Sequence, residues 1–183
     1  MQLRPEVEDS YLVARAREGY LDAYELLVQR HSALAYRVAL RIVGDHYDAQ
    51  DVAQESLVAA WEGLDRFKGA SSFASWLYQI VTRRAINKIT RGRAAAGPVD
   101  LLADLPDPAG EPAAQVERDL AADAVTAALA ALPLAQRTVV VLHHLEGLSY
   151  AEVAQVTHST VPAVRSHLFR ARRTLGTMLS EWR

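Results

Sequence analysis

Four of the chain's seven prolines fall between Gly92 and Pro112, along with Gly92, Gly97 and Gly110, whereas residues 10–91 contain no proline. Proline lacks a backbone N–H and, like glycine, interrupts regular helices. The stretch 93–112 therefore reads as a linker, dividing the 183-residue chain into an N-terminal domain, 10–92, and a C-terminal domain, 113–183. On the N-terminal side apolar residues recur at helical spacing: Leu26, Leu27, Leu34, Val38 and Ile42, then Ala53, Leu57, Ala60, Trp61 and Leu64. Residues three and four apart share one helix face, so these runs are core stripes. Beyond the linker the pattern returns in shorter pieces, separated by Pro133, by Glu146-Gly147 and by Thr157 to Thr160. No strand-length alternation bounded by hairpin turns interrupts either side. The expected fold is all-α: a bundle of three or four helices, a linker, and a second domain of four short helices.

Half of the residues are apolar and 23% are charged, the balance of a chain with packed cores rather than a disordered one. The absence of cysteine removes disulfides, thiolate zinc sites and cysteine nucleophiles. No apolar run approaches the roughly 20 residues of a membrane span, and the opening MQLRPEVEDS has no apolar signal core. A cytoplasmic protein without membrane insertion is expected.

A net charge of -2, taken whole, argues against nucleic acid. Its distribution argues otherwise. From Val43 to Asp65 there are Asp45, Asp48, Asp51, Glu55, Glu62 and Asp65 and no Lys or Arg. From Arg66 to Arg93 there are Arg66, Lys68, Arg83, Arg84, Lys88, Arg91 and Arg93 and no acid. The linker is acidic again, and Val153 to Ser180 carries only Arg165, Arg170, Arg172 and Arg173. Alternating blocks of this kind mark different partners along one chain.

At 100° per residue, Asp48, Asp51, Glu55 and Glu62 lie within about 60° of one another, opposite the apolar stripe. Such a face is either solvated or a docking surface for a basic partner. Asp48 and Asp51 also suit the positive end of a helix dipole. A metal or acid/base site is disfavoured, because no His stands at ligand spacing apart from His46 in the preceding turn.

The basic block has another texture. RFKGASS is a polar loop, in which Ser71 or Ser72 can cap the helix FASWLYQIVTRRAINKITR. Phe73, Trp76, Leu77 and Ile80 share a face and read first as core. Cations interleaved with aromatics also suit single-stranded nucleic acid, where charges follow phosphates and rings accept unstacked bases. The loop residues with Arg83, Arg84, Asn87 and Lys88 are the candidate contacts.

LSYAEVAQVTHSTVPAVRSHLFRARRTL has helix-turn-helix rhythm: a helix from about Ser149 to Val156, a polar turn from Thr157 to Thr160, and a second helix from Val161. Pro162 falls in that helix's first turn, where a missing N–H costs little. Val164 and Leu168 point to the core, leaving Arg165, Ser166, His167, Arg170, Arg172 and Arg173 outside. A major-groove helix needs such a face, with donors for base edges and arginines for phosphates. An ordinary basic helix is the plainer alternative. The adjacent pair His143 and His144 point apart on a helix and make a poor metal site. Nothing in the chain calls for a cofactor or a catalytic site.

The order DAQDVAQESLVAAWEGLDRFKG, SSFASWLYQIVTRRAINKITR, a proline-rich linker, ALPLAQRTVVVLHHLEGLSYAEVAQ and TVPAVRSHLFRARRTL resembles bacterial RNA polymerase sigma factors of the extracytoplasmic-function group, over about residues 10 to 180. The resemblance implies a sigma region two-like bundle and a sigma region four-like helix-turn-helix. It also implies no catalysis, but binding to core RNA polymerase, choice of promoter and promoter melting. The polymerase-docking motif falls on Asp48, Asp51, Gln54 and Glu55, facing the clamp helices of the largest subunit. The minus-ten contacts fall on Phe67, Lys68, Gly69, Ser71, Ser72, Arg83, Arg84, Asn87 and Lys88. The minus-thirty-five contacts fall on Thr160, Arg165, Ser166, His167, Arg170, Arg172 and Arg173, and the same domain touches the flap of the second-largest subunit. An anti-sigma protein is a further implied partner. Four positions depart from the family pattern: Arg83 for the usual Asn, Asn87 for Asp, His158 for the Gly of the turn, and His167 for a frequent Arg. The first two make the minus-ten helix more cationic, which favours backbone contact.

A stand-alone helix-turn-helix regulator shares only the C-terminal half and leaves the acidic helix and basic loop unused. A metal-dependent hydrolase lacks a compact ligand set. A protein-only adaptor requires both basic faces to be merely solvated.

Overall fold

The computed structural model describes residues 7–96, 125 and 127–180, and every regular element among them is helical. The N-terminal part comprises α1 (Asp9–Arg17), α2 (Leu21–Val43), α3 (His46–Gly63), a 3-10 turn (Leu64–Arg66) and α4 (Phe73–Ala96). Helical residues 127–130 lead into α5 (Leu134–Val140), a wide π-type turn (Val141–Leu145), α6 (Tyr150–Val156) and α7 (Val161–Ser180).

The α2–α3 connection is short because both of its ends are satisfied locally. Gly44 takes the left-handed conformation, φ 85°, and its N–H donates to the Leu40 carbonyl at 2.8 Å, ending α2. The Asp45 carboxylate then accepts from the Asp48 N–H at 2.8 Å and starts α3. Two helices so joined lie antiparallel, and α4 packs against both. Their common core holds Leu27, Val38 and Ile42 of α2, Val52 and Ala60 of α3, and Leu77, Val81 and Ala85 of α4, with Leu12 and Ala16 of α1 beneath. Each Leu or Val fully buried there contributes about 1.5–3 kcal/mol. Leu77→Ala, which leaves a cavity among three helices, costs about 2–5 kcal/mol.

Gly63 allows the end of α3 to approach Trp76: a Cβ there would stand 3.2 Å from the indole. Trp76 stacks on Phe67 with centroids 4.9 Å apart, and Phe67 meets Phe73 edge-on at 6.5 Å. The loop entering α4 is thus anchored by rings.

In the C-terminal part Val139 to Leu142, Val153, Val156, Val164, Leu168 and Ala171 form the core. Ser149 and Glu152 make a reciprocal capping box at the start of α6. His158 ends that helix at φ 50°, the one positive value outside glycine among the described residues. It does so because the Ser159 N–H must reach back to the Ala154 carbonyl, at 2.9 Å.

α4 continues through Gly92 to Ala96, four residues into the expected linker. A single glycine costs a helix only about 1 kcal/mol, and the first proline comes at 98. The rest of the 93–112 linker, and the start of the 113–183 domain up to 124, lie outside the described residues. The two parts touch: α5 and the wide turn pack on α2, and α6 packs on α4.

Candidate polymerase and nucleic-acid interfaces

α3 presents Asp51, Gln54 and Glu55 to solvent, with Asp48 half-buried one turn earlier. The facing side of α4 carries Arg83, Arg84, Asn87 and Lys88, and the two helices border a cleft of about 710 Å³ floored by Val52 and Ile80. The carboxylates and cations pair across it. Arg84 Nη1 donates to Glu55 Oε2 at 2.9 Å, and Lys88 Nζ stands 2.9 Å from Asp48 Oδ1 and 3.4 Å from Asp51 Oδ2. The hydrogen bond to Asp48, reinforced by the Asp51 charge, holds the Lys88 ammonium above its usual pKa. Arg83 and Asn87 stay exposed.

Along the loop before α4, Lys68, Gly69, Ser71 and Ser72 are exposed. Ser72 is the capping serine, accepting from the Ser75 N–H at 3.1 Å. Phe67 is only 8% exposed, locked between Trp76 and Phe73, so its ring offers almost no surface in this conformation. Phe73 is buried at 2% exposure, as its place on the apolar face implied.

Among the described C-terminal residues, α6, the turn and α7 form the expected helix-turn-helix. Val164 and Leu168 are buried, while Arg165, Ser166, Arg170, Arg172 and Arg173 are exposed on the opposite side of α7. The Thr160 hydroxyl accepts from the Ala163 N–H at 3.3 Å, capping α7. His167 is half-buried, with Nδ1 turned inward where no described residue bonds to it. The Arg165 guanidinium sits 5.5 Å from the Tyr150 ring, within cation–π range. Phe169, not singled out from the sequence, is 63% exposed among these arginines. Its signal was its place: at 100° per residue it lies roughly 140–160° round the helix from Val164 and Ala171, away from the buried stripe.

His143 and His144 gather no third ligand, and no group of three or more potential metal ligands occurs among the described residues. His143 Nδ1 is held 2.7 Å from the Leu148 carbonyl. Burial, then the charges of His143 and Arg172, depress the His144 pKa. No helix among the described residues is long and apolar enough to cross a membrane.

One cluster escaped the sequence altogether. Glu146 accepts from Arg37, Arg41 and Tyr78, and Arg137 Nη1 donates to the Ile42 carbonyl at 2.7 Å, so both side chains bind across the two parts of the chain.

The two parts match two known families in the same order along the chain. The description "Sigma-70 region 2" matches residues 27–95, and "Sigma-70, region 4" matches residues 122–175. The RNA polymerase sigma-H factor of Pseudomonas aeruginosa is 34% identical over 181 residues, covering 94% of both chains. The chain belongs to the extracytoplasmic-function RNA polymerase sigma factors. The Escherichia coli ECF RNA polymerase sigma-E factor is 31% identical over 183 residues, covering 93% of each chain. Among solved structures, CnrH in complex with the cytosolic domain of CnrY has a TM-score of 0.71 at 30% identity, covering 94% of this chain and 97% of that one. The sigma factor RpoE of Bartonella quintana, solved in complex with the anti-sigma factor NepR, shares the fold, with a TM-score of 0.65 at 23% identity, covering 86% of this chain and 96% of that one. The family is one of non-catalytic transcription initiation factors, and the sigma factor described here binds RNA polymerase and directs it to promoters.

Proposed function

We propose that this sigma factor divides its work between two parts, approximately 10–92 and 113–183, joined by a linker over 93–112. In the first, Asp48, Asp51, Gln54 and Glu55 dock on the clamp helices of the largest polymerase subunit. Lys68, Gly69, Ser71 and Ser72, with Arg83, Arg84, Asn87 and Lys88, hold the separated minus-ten strand, and Phe67 supports the loop from below. Flipping a base out of the stack costs a few kcal/mol, which contacts to the extruded base must offset. Melting follows when the strand is held more tightly than its duplex.

In the second part, α7 enters the major groove at the minus-thirty-five element. Arg165 and Ser166, near the N-terminal end of the helix, reach base edges. Arg170, Arg172 and Arg173 hold phosphates, Thr160 stands at the groove's edge, and His167 offers Nε2. Phosphate contacts carry salt-dependent affinity and base contacts carry choice. The same domain touches the polymerase flap, and the linker runs through the RNA exit region. The factor acts in the cytoplasm, and an anti-sigma protein holds it inactive, as CnrH and RpoE are each seen bound to a second protein.

The observation that carries this reading is the cleft between α3 and α4, where an acidic row and a basic row face each other in front of a basic helix-turn-helix. Run-off transcription with core polymerase, combined with permanganate mapping of unpaired thymines, tests it. Transcripts starting at a fixed distance from an unpaired minus-ten segment are expected. Duplex binding with no polymerase-dependent transcript would sink the reading and leave a simple helix-turn-helix regulator.

A further inference from the structure

Glu146 follows the wide turn after α5, and although it lies in a connection its side chain is 1% exposed. Both carboxylate oxygens are taken. Oε1 accepts from Arg37 Nε at 2.9 Å and Arg41 Nη1 at 2.6 Å, and Oε2 accepts from Arg37 Nη2 at 2.7 Å and the Tyr78 hydroxyl at 3.0 Å. Arg37 and Arg41 stand one turn apart on α2 and so converge on one group. The bidentate Arg37 contact fixes direction as well as position.

Every partner of this carboxylate among the described residues belongs to the N-terminal part. A buried carboxylate stripped of its partners is strongly unfavourable. Glu146 is therefore either fully paired across the two parts or out in water, and it has few stable positions in between. Next to it, Arg137 caps the last turn of α2 through the Ile42 carbonyl, adding a second bond between the parts.

The same closure sets α6 over the entrance to α4. A gap of about 400 Å³ there is lined by Ala70, Ser71, Ser72 and Ser75 on one side and by Leu148 and Glu152 on the other. The Glu152 carboxylate is held in place by the Ser149 N–H at 2.8 Å. A fixed negative charge and a helix thus stand where a nucleic acid strand must run, whereas the outer face of α7 stays open.

We propose that Glu146, Arg37, Arg41 and Tyr78 form an interdomain latch that keeps the free sigma factor closed, covering the minus-ten loop with its own helix-turn-helix, and that polymerase binding opens it. The inhibitory role rests on the reading of that loop as a promoter contact; the latch itself does not. The α3 face stays exposed in the closed form, but engaging the clamp helices with one part and the flap with the other requires the two parts to separate. If only the open fraction makes both contacts, apparent affinity for polymerase falls in proportion to that fraction.

The lack of cysteine makes the test direct. Glu25→Cys and Gly176→Cys place two dyes at exposed positions on the two parts of the full chain. In this background Glu146→Gln is compared with Arg37→Gln combined with Arg41→Gln, which breaks the same cluster from the other side, and circular dichroism confirms helicity. If one version fails to fold, the other carries the test. Opening is expected as lower energy transfer and faster hydrogen exchange over residues 69–75. Affinity for core RNA polymerase is expected to rise at least about tenfold, with minus-thirty-five duplex affinity unchanged within about twofold. Unchanged energy transfer in the folded variants overturns the latch. Opening without any gain in polymerase affinity overturns its inhibitory role. If no version, open or closed, binds polymerase, the docking reading is what fails, and the energy-transfer arm still decides the latch.

Discussion

Arg84 donates to Glu55 at 2.9 Å, so a side chain assigned to promoter DNA is paired with one assigned to the polymerase. Both are partly exposed, at 35% and 63%, and pairs of this kind are worth only about 0–1 kcal/mol. The pair is easily exchanged for external partners. Lys88 stands in the same position between Asp48 and Asp51. The α3–α4 cleft is thus neutralised at little cost, and under the proposed function polymerase would take one row and DNA the other.

Arg84→Ala is accordingly expected to change folding stability by less than about 1 kcal/mol. It should weaken binding of the polymerase complex to a single-stranded minus-ten oligonucleotide and lower the salt slope by about 0.7. Anisotropy titrations at several salt concentrations measure this. A slope equal to the parent's would remove Arg84 from the phosphate contacts.

Reversing charge on the other row separates the two rows. Asp51→Lys combined with Glu55→Lys should abolish core polymerase binding in a pull-down while leaving minus-thirty-five duplex affinity intact. Retained polymerase binding would show that the acidic face is only solvated.

On α7, Arg165→Ala is expected to cost about 1–3 kcal/mol in duplex binding and to relax preference at one base pair, whereas Arg170→Ala should weaken all sequences alike and lower the salt slope by about 1. Phe169→Ala should reduce preference for thymine at one position, because an exposed ring among phosphate-binding arginines can pack on a thymine methyl group. Competition with systematically varied duplexes distinguishes the three.

His158→Gly should raise stability by about 1 kcal/mol, since a left-handed residue with a Cβ costs about 1–2 kcal/mol that glycine avoids. Thermal melting checks this, and an unchanged or lower melting temperature would mean that the imidazole contributes to the turn.

Acid should open the closed form. Burial alone would push the Glu146 carboxyl up, but the hydrogen bonds and charges of Arg37, with Tyr78 and Arg41, hold it below its usual value of 4.5. Because the closed-state pKa is lowered, closure keeps its full strength above about 4.5 and loses it as pH falls below that. Tyr78, raised to about 12 by burial and the Glu146 charge, stays a hydrogen-bond donor throughout. Asp9, held low by Arg30 and His31, weakens the N-terminal part over a similar acid range. Energy transfer followed from pH 7 to 3 must therefore be compared with Glu146→Gln, whose acid response should lack the domain-opening step.

The helical period carried much of the fold on its own. Val164 and Leu168, four apart, are both buried, and α6 and α7 begin within a residue of where their sequence signals place them. Ser72, Gly44 and Asp45 act through their nearest neighbours, and such effects can be read locally. What stayed hidden depends on distance along the chain. Glu146 and Arg37 are 109 residues apart and belong to no periodic pattern. Phe67 sits in a polar-looking loop, and only the approach of Trp76 and Phe73 turns it inward. The charge blocks indicated candidate faces for partners, yet not that α3 and α4 would pair those charges with each other.

Among the described residues, the hydrogen bonds of the Glu146, Arg37 and Arg41 side chains run within their own cluster with Tyr78, and not to the residues proposed to read DNA or to dock on the polymerase. Substitutions there can reset how readily the factor is released from its closed form while its promoter vocabulary stays the same. Related factors can thus diverge in responsiveness and in target choice as separate heritable traits.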